Sequence, residues 1–461
     1  MPATHNDAAP AKEIFVNAFY SASPSQSWPG LWSHPQAHDL DYNRLDYWVN
    51  LARICEDGLI DGIFLADILA VHDVYQGSSD ATLKSGCFCP TNDPMLLIPA
   101  MAAVTEHLTF GVTGNTTFEP PYLLARRLST LDHLTEGRLA WNVVTGTAAS
   151  AARALGKTDL PPHDERYDIA DEFMEVVYKL WETSWDSDAA VRDKESHIFA
   201  DPSRVRPVRH AGRYFQCEGI HLSEPSPQRT PFIFSAGASG RGMRFAGRHA
   251  ESAFISANSI PYARHLTDSL RRQAEACGRN GQDLKVFNAV TVIVAETDVL
   301  AQEIMAETGR YSSADGNLAF LSGITGIDLS HYAPDEPIRH VESQAIQSIV
   351  EQMTRNSEGR VYTVADLAKF GPLRGPELFF CGSAHTVCDQ IETFVAQTGI
   401  DGLNLVRTVE PAGIRSFCDL VVPELQNRGL FKTAYRPGTM RQKMFPGRTP
   451  GVLASHPAAQ V

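Results

Sequence analysis

The clearest hydrophobic pattern in the chain runs from Arg126 to Thr147. Leu128, Leu131 and Leu134 recur at helical spacing, and Gly137 supplies the left-handed residue that commonly ends a helix. Leu139 to Val144 is then a nearly unbroken apolar run, as expected of a strand buried on both faces of a parallel sheet. It ends in small and polar residues, Thr145, Gly146 and Thr147. Helix, glycine turn, buried strand and polar strand end make one unit of an α/β fold.

The same alternation recurs along the chain. Besides Leu139–Val144, the pattern predicts strands at Ile14–Tyr20, Gly62–Leu65, Leu108–Thr113, Pro231–Ser235, Ala253–Ser256, Val286–Ala295 and Gly402–Val406. A helix is expected over Asp41–Asp57, with Leu45, Trp48, Leu51, Ala52 and Cys55 facing inward and Gly58 as its stop. Further helices are expected at Pro94–His107, Tyr167–Trp181, up to His249, Ile260–Cys277, Ala384–Gln397 and Ile414–Arg428. Residues after Asp298 read as helical and then irregular as far as Pro376.

Eight strands alternating with helices predict an α/β protein, a (β/α)8 TIM barrel whose chemistry sits where the strands end. The whole of 1–461 reads as one barrel domain with its core at about 13–435. Insertions are expected at about 70–93, 185–226 and 314–376, mostly after strands and so on the catalytic face. Short β-like pieces are expected around Tyr214-Phe215. The Pro-, Gly- and Arg-rich extension at about 431–461 is expected as an arm over a partner subunit.

Composition narrows the classes. A net charge of −14 without a long Lys/Arg run argues against a nucleic-acid footprint. The eight cysteines are scattered without a Cys-x-x-Cys, which points to buried thiols in a reducing compartment rather than a disulfide framework. Met1 to Ala11 lack a signal-peptide pattern, and no apolar window reaches the roughly eighteen residues of a membrane span. The expectation is a cytoplasmic protein that binds neither membrane nor nucleic acid. No His-Glu-x-x-His occurs and the histidines do not cluster, so no metal site is expected.

Two motif resemblances fail on inspection. Ala151 to Thr158 lacks the first glycine of a phosphate loop, and Pro161-Pro162 leaves no room for the following helix. Gly237-Ala238-Ser239-Gly240-Arg241 has Arg241 where a nucleophile elbow needs glycine. As a run of small residues before a helix, Gly237 to Gly242 fits either a phosphate cradle or a tight structural turn. His163-Asp164-Glu165-Arg166-Tyr167 opens a helix that Asp164 would cap, while Arg166 and Tyr167 either reach an anion or carry surface charge. Asp67, just past a buried strand, is a metal-ligand candidate or a simple cap.

Several segments taken together resemble a known family. They are Gly30-Leu31-Trp32, Phe64-Leu65-Ala66-Asp67, Met101 to Thr105, Ser129 to Leu134, Trp141 to Thr145 and His163 to Tyr167. Pro225 to Pro231, Ala236-Gly237, Val421 to Leu425 and Arg428-Gly429 continue the match, which covers about residues 13–435. The family is that of the bacterial-luciferase-like flavin monooxygenases. Within it the chain resembles the branch of nitrilotriacetate, dibenzothiophene-sulfone and long-chain alkane monooxygenases, and looks most like the last.

The resemblance implies a TIM barrel that binds FMN as FMNH2, delivered by a separate flavin reductase. In this family O2 adds at C4a, and the C4a-hydroperoxyflavin inserts one oxygen atom into a hydrophobic small molecule (aromatic, halogenated, organosulfur or alkane-like). Long loops at Ala70–Asp93 and Ala314–Pro376 would serve as lids that keep water out. Carried onto this chain, Asp67 and Thr113 would line the isoalloxazine, with Asn142 and Gly146 nearby. His163 and Tyr167, with Ala238 and Ser239, would hold the phosphate. Members usually form dimers or tetramers, so a homodimer or homotetramer is implied.

The chain departs from the alkane enzyme at its acid/base positions. Ser23 and Gln26 stand where that enzyme has Cys and His, Gly146-Thr147 where it has Ser-His, and His72 where it has Tyr. His72 is therefore the catalytic candidate. Phe88 and Phe320 replace polar residues and, with Thr147, are expected to line the substrate pocket, to which Trp28 and Phe118 add aromatic character. Rival readings are a deazaflavin-dependent oxidoreductase on the same barrel and a flavin-binding protein without turnover.

Overall fold

Strand β1, Phe15–Ser21, is the seam of the sheet. It pairs in parallel with β2 (Gly62–Ala66) on one side and with β11 (Gly402–Val406) on the other. The computed structural model describes residues 12–337, 362–369 and 378–461. From β2 the sheet continues through β3 (Thr109–Asn115), β4 (Leu139–Val144), β7 (Phe232–Ser235) and β8 (Ser252–Ile255), all parallel. β9 (Lys285–Ala295) pairs with both β8 and β11, which closes eight strands into a barrel. The strands β5 (Val208–Ala211) and β6 (Gln216–Gly219) form a separate antiparallel hairpin inside the 185–226 insertion, with Tyr214-Phe215 in its turn. Closure follows from the sequence pattern: strands apolar on both faces must be covered inside and out.

Alternation within β1 shows how the two faces are used. Phe15 packs inward with Phe64, Phe232, Phe234 and Phe287, whereas Val16, Ala18 and Tyr20 face the helical layer. The inner aromatic rings meet edge to face, with Phe64 and Phe234 centroids 5.3 Å apart.

The C-terminal segment closes the N-terminal end of this barrel. Met440, Met444 and Phe445 join the inner phenylalanine cluster. Arg441, 1% exposed, pairs with Glu251 through Nε–Oε1 at 2.6 Å and Nη2–Oε2 at 2.8 Å. The extension expected as an arm over a partner thus packs against its own barrel.

Other expectations need correction. The first helix begins at Leu45, after a 3-10 turn at Asp39–Asp41 and an extended Arg44, and Leu45 itself is 58% exposed. Pro94–His107 is instead a 3-10 turn at Pro94–Leu96 and a short helix at Ile98–Ala102. The Glu56 carboxylate accepts the backbone N–H groups of Glu106, His107 and Leu108, which draws that stretch out of the helix. The helix expected at Tyr167 starts at His163, and Asp164 sits in its first turn rather than capping it. A ninth parallel strand, β10 (Leu378–Ser383), was not expected from its four-residue apolar run. It lies along the upper half of β9, on the edge that β8 uses lower down.

Of the third insertion, the helices Ala314–Thr325 and Val364–Ala368 are described, while 338–361 and 370–377 lie outside the described residues, as does the segment read for a signal peptide. The eight cysteines are free thiols. Among the described residues no helix is long and apolar enough to cross a membrane, and no cluster of three or more His, Cys, Asp or Glu could hold a metal.

Candidate active site

The C-terminal ends of β2, β3, β4 and β7 open onto one cavity. Asp67 follows β2, Asn115 ends β3, Gly146 and Thr147 follow β4, and Ala236 to Ser239 follow β7. His163, Arg166 and Tyr167 reach in from the first turn of the helix His163–Thr183, and Ile324 from the helix Ala314–Thr325. Strand ends supply the sites because their last residues leave the ladder and turn side chains toward the rim.

The turn after β7 is built around an absence of side chains. A Cβ on Gly237 would come within 2.7 Å of the Tyr167 hydroxyl and 2.9 Å of the Gly242 Cα. One on Gly242 would meet the same hydroxyl at 2.6 Å. Ser239 caps the helix Gly240–His249, its Oγ accepting the Gly242 N–H at 3.1 Å. That Oγ lies 3.3 Å from His163 Nε2, and His163 Nδ1 lies 2.7 Å from the Asp164 carboxylate. Burial raises the Tyr167 phenol above its ordinary pKa, so it stays a neutral hydroxyl donor. The Arg241 guanidinium lies over the Tyr167 ring at 5.5 Å and is anchored to Asp168 and Asp171 at 3.0 and 2.5 Å. Ser239 is therefore occupied as a cap, in keeping with the rejection of a nucleophile elbow.

The opposite wall is set by Arg166. Its side chain is buried, and Nη1 donates to the Gly146 carbonyl. Gly146 has φ +71°, and a Cβ there would stand 2.8 Å from Asn115 Nδ2. Within the misleading phosphate-loop string at 151–158, Lys157 donates to the Thr117 carbonyl, and Ala149–Ala154 is a short helix.

Thr113 and Asn142 lie one layer deeper and do not line the cavity itself. Asn142 Nδ2 donates to Thr113 Oγ1 at 2.9 Å, and Thr113 Oγ1 donates to the Leu65 carbonyl at 3.0 Å. Asn142 Oδ1 is buried with no hydrogen-bond partner. Asp67 has its carboxyl raised from 3.8 to about 6, first by burial and then by the nearby charges of Asp93 and Glu119.

His72, Phe88 and Phe320 form a separate box of rings, and none of the three lines the cavity. Phe88 and Phe320 stack with centroids 6.0 Å apart, and both present their faces or edges to His72 at 6.2 and 5.6 Å. Neither ring nitrogen of the buried His72 has a partner, and burial lowers its pKa to about 4. Gly323 makes the space for it, since a Cβ there would fall 2.0 Å from His72 Nδ1. Gln26 is buried with its amide unpartnered, Ser23 donates to the Ser25 carbonyl, Phe118 lines the main cavity, and Trp28 packs in a different cluster with Leu31.

Asn115 and Ile324 also line the cavity and carry no sequence signal. Asn115 falls two residues past the expected strand Leu108–Thr113, and Ile324 is one apolar residue in a helical stretch remote in the chain.

The amino-acid sequence matches the luciferase-like monooxygenase family over residues 26–402. It is 45% identical to the dimethyl-sulfide monooxygenase of Hyphomicrobium sulfonivorans over 449 residues, covering 97% of this chain and 94% of that one. The long-chain alkane monooxygenase of Geobacillus thermodenitrificans is 42% identical, with 94% of each chain covered. A crystal structure of long-chain alkane monooxygenase superposes with a TM-score of 0.91 at 41% identity, covering 98% of this chain and 99% of that one. A riboflavin lyase solved with modified FMN and riboflavin gives the same TM-score at 34% identity, covering 97% and 99%.

Proposed function

The chain belongs to the luciferase-like monooxygenase family, and from that premise we propose that it is the oxygenase of a two-component system. In this reading a separate flavin reductase supplies FMNH2, and one atom of O2 enters a small uncharged hydrophobic molecule. The observation that carries the reading is the cradle in which the Tyr167 hydroxyl, Ser239 and His163 converge on side-chain-free Gly237 and Gly242. A single cradle suits a mononucleotide, which has one terminal phosphate.

The residues present fit that cofactor. His163, Tyr167, Ala238 and Ser239 would hold the phosphate by hydrogen bonds from side chains and backbone N–H groups. Asp67, Thr113, Asn142 and Gly146 would border the ring system, with the unpartnered Asn142 Oδ1 as an acceptor toward it. When bound, the reduced flavin supplies the electrons and the oxygen-transfer chemistry.

The protein's part is to bind, orient and keep dry. The first insertion is tied to the helix Ala149–Ala154 by Ser150 Oγ donating to the Val71 carbonyl at 2.8 Å and by an Arg153–Asp73 ion pair. Ile324 brings the third insertion down onto the same cavity. Together these would exclude water during turnover. Phe88, Phe320 and Thr147 would border the substrate, and His72, neutral at pH 7, would exchange a proton or hydrogen bond with it through a ring nitrogen. Two relatives are named for dimethyl sulfide and long-chain alkanes, which share an absence of charge with the proposed substrate.

The test is anaerobic titration with FMNH2 followed by reductase-coupled turnover under 18O2 with sulfides, alkanes and halogenated aromatics. Saturable binding and one 18O atom per product molecule are expected. Reduction of a substrate by a reduced deazaflavin without O2, or peroxide as the sole product with every compound, would overturn the reading.

A further inference from the structure

Tyr167, Asp171 and Tyr178 follow one another at helical spacing and stand on one face of the helix His163–Thr183. That face meets the helix Gly240–His249. Arg241, in the first turn of the second helix, touches both the ring that carries the cradle hydroxyl and the helix that carries the ring. Its Nη2 donates to Asp168 at 3.0 Å and to Asp171 at 2.5 Å, and its guanidinium carbon lies 5.5 Å from the centre of the Tyr167 ring. Asp171 is one helical turn beyond Tyr167. The other rings against Tyr167 are His163 and Phe245, with centroids 5.3 and 5.7 Å away. The tilt of the Tyr167 ring therefore sets how closely its hydroxyl approaches the turn of Gly237 and Gly242.

A fully exposed ion pair would hold that ring weakly. The Arg241 side chain is only 15% exposed, and its carboxylate partner is braced from behind. His249 is buried, with Nε2 2.8 Å from Asp171 Oδ1 and Nδ1 3.1 Å from the Tyr178 hydroxyl. A carboxylate can only accept, so Nε2 carries the proton and Nδ1 accepts the Tyr178 O–H. Burial pushes the Asp171 carboxyl up, but the bonds from His249 and Arg241 outweigh it and hold it below the ordinary range. The half-exposed Arg248 adds a longer contact to Asp171 at 3.7 Å. The C-terminal segment fixes the far end: His456 Nε2 donates to the His249 carbonyl at 2.8 Å, and its ring packs on Tyr178.

We propose that Arg241 is a positioning residue for the cofactor phosphate: lying over Tyr167 and moored to the Asp171 that His249 orients, it fixes the Tyr167 hydroxyl in the cradle. The proposal rests on the FMN reading of the site. Asp168 and Asp171 balance the charge of Arg241, so its effect reaches the phosphate through the phenol.

The test compares reduced FMN with reduced riboflavin, which lacks the phosphate, in anaerobic titrations of the full chain. The ratio of the two affinities should fall about threefold in Arg241→Met. In a Tyr167→Phe background the same change should leave the ratio unaltered, because the hydroxyl through which Arg241 acts is gone. A purely structural residue would weaken both flavins alike. An unaltered ratio in Arg241→Met, or an equal loss with and without the Tyr167 hydroxyl, would overturn the proposal. Where Arg241→Met does not fold, Arg241→Gln is read in its place.

A second readout needs no flavin. In protein labelled with 3-fluorotyrosine, the fluorine resonance of Tyr167 is identified by its absence from Tyr167→Phe, and it should shift or broaden in Arg241→Met. If the natural protein binds neither flavin, the FMN reading fails by itself and this resonance decides the positioning of Tyr167. An unmoved resonance refutes it.

Discussion

The Tyr167 hydroxyl occupies the space that a side chain on Gly237 would need, 2.7 Å from where its Cβ would be. The two residues are seventy positions apart in the chain, on a helix and on a strand end. Their fit joins the helix His163–Thr183 to the turn after β7 and gives the proposed phosphate cradle its shape.

Gly237→Ala should therefore be more harmful to cofactor binding than to folding. The new methyl would push Tyr167 outward and also press on the Gly242 Cα at 2.9 Å. FMNH2 affinity measured under anaerobic conditions should fall at least tenfold, with the far-ultraviolet circular dichroism unchanged.

Tyr167→Phe and Ser239→Ala should separate two roles. Tyr167→Phe removes one donor and should weaken FMNH2 binding by about 1 kcal/mol with little change in stability. Ser239→Ala also removes the cap on Gly242 and should lower the unfolding free energy by about 1 kcal/mol. Urea unfolding beside cofactor titration reads the difference.

Asp67 should make the cofactor-free protein respond to pH in a defined direction. Its folded pKa of about 6 is above the ordinary 3.8, so the folded state binds more protons between those values. Through this group alone, stability rises as pH falls from about 6 to about 4, and is lost again on returning to neutrality. Asp67→Asn should be more stable than the natural protein above pH 7. The difference should close by pH 4 in urea titrations.

Arg441 should matter far from the chemistry. Replacing it with Met leaves Glu251, 4% exposed, as a buried unpaired carboxylate, a change that typically costs about 3–5 kcal/mol. Arg441→Met, Glu251→Leu should recover much of that loss. Chemical denaturation of the three proteins checks it, and an unaltered midpoint in Arg441→Met would contradict the role given to the C-terminal segment.

Much of this architecture is legible in local sequence. Leu139–Val144 is apolar but for Asn142, and it is a strand with those bounds; Gly402–Val406, apolar but for Asn404, behaves in the same way. The glycines of Gly237 to Gly242 announce a tight turn before a helix, and the structure has one. Elements whose ends depend on a distant partner are less legible. The helix expected to reach His107 stops early because Glu56 takes its backbone N–H groups, and β10 forms because β9 outruns β8 and leaves an edge to cover.

The candidate site divides along the same line. The residue types near each strand end are local facts, and they suffice to point to the rim of a barrel. That Tyr167 meets Gly237, that Arg166 reaches the Gly146 carbonyl, and that His72 is walled in by Phe88, Phe320 and Gly323 are facts of tertiary packing. So is the inward fold of the last residues onto the barrel's own floor. Sequence by itself determined the repeating strand–helix order, because hydrophobic periodicity acts over a few neighbours. Only closure of the barrel decided which side chains share a cavity, because that depends on register between strands far apart in the chain.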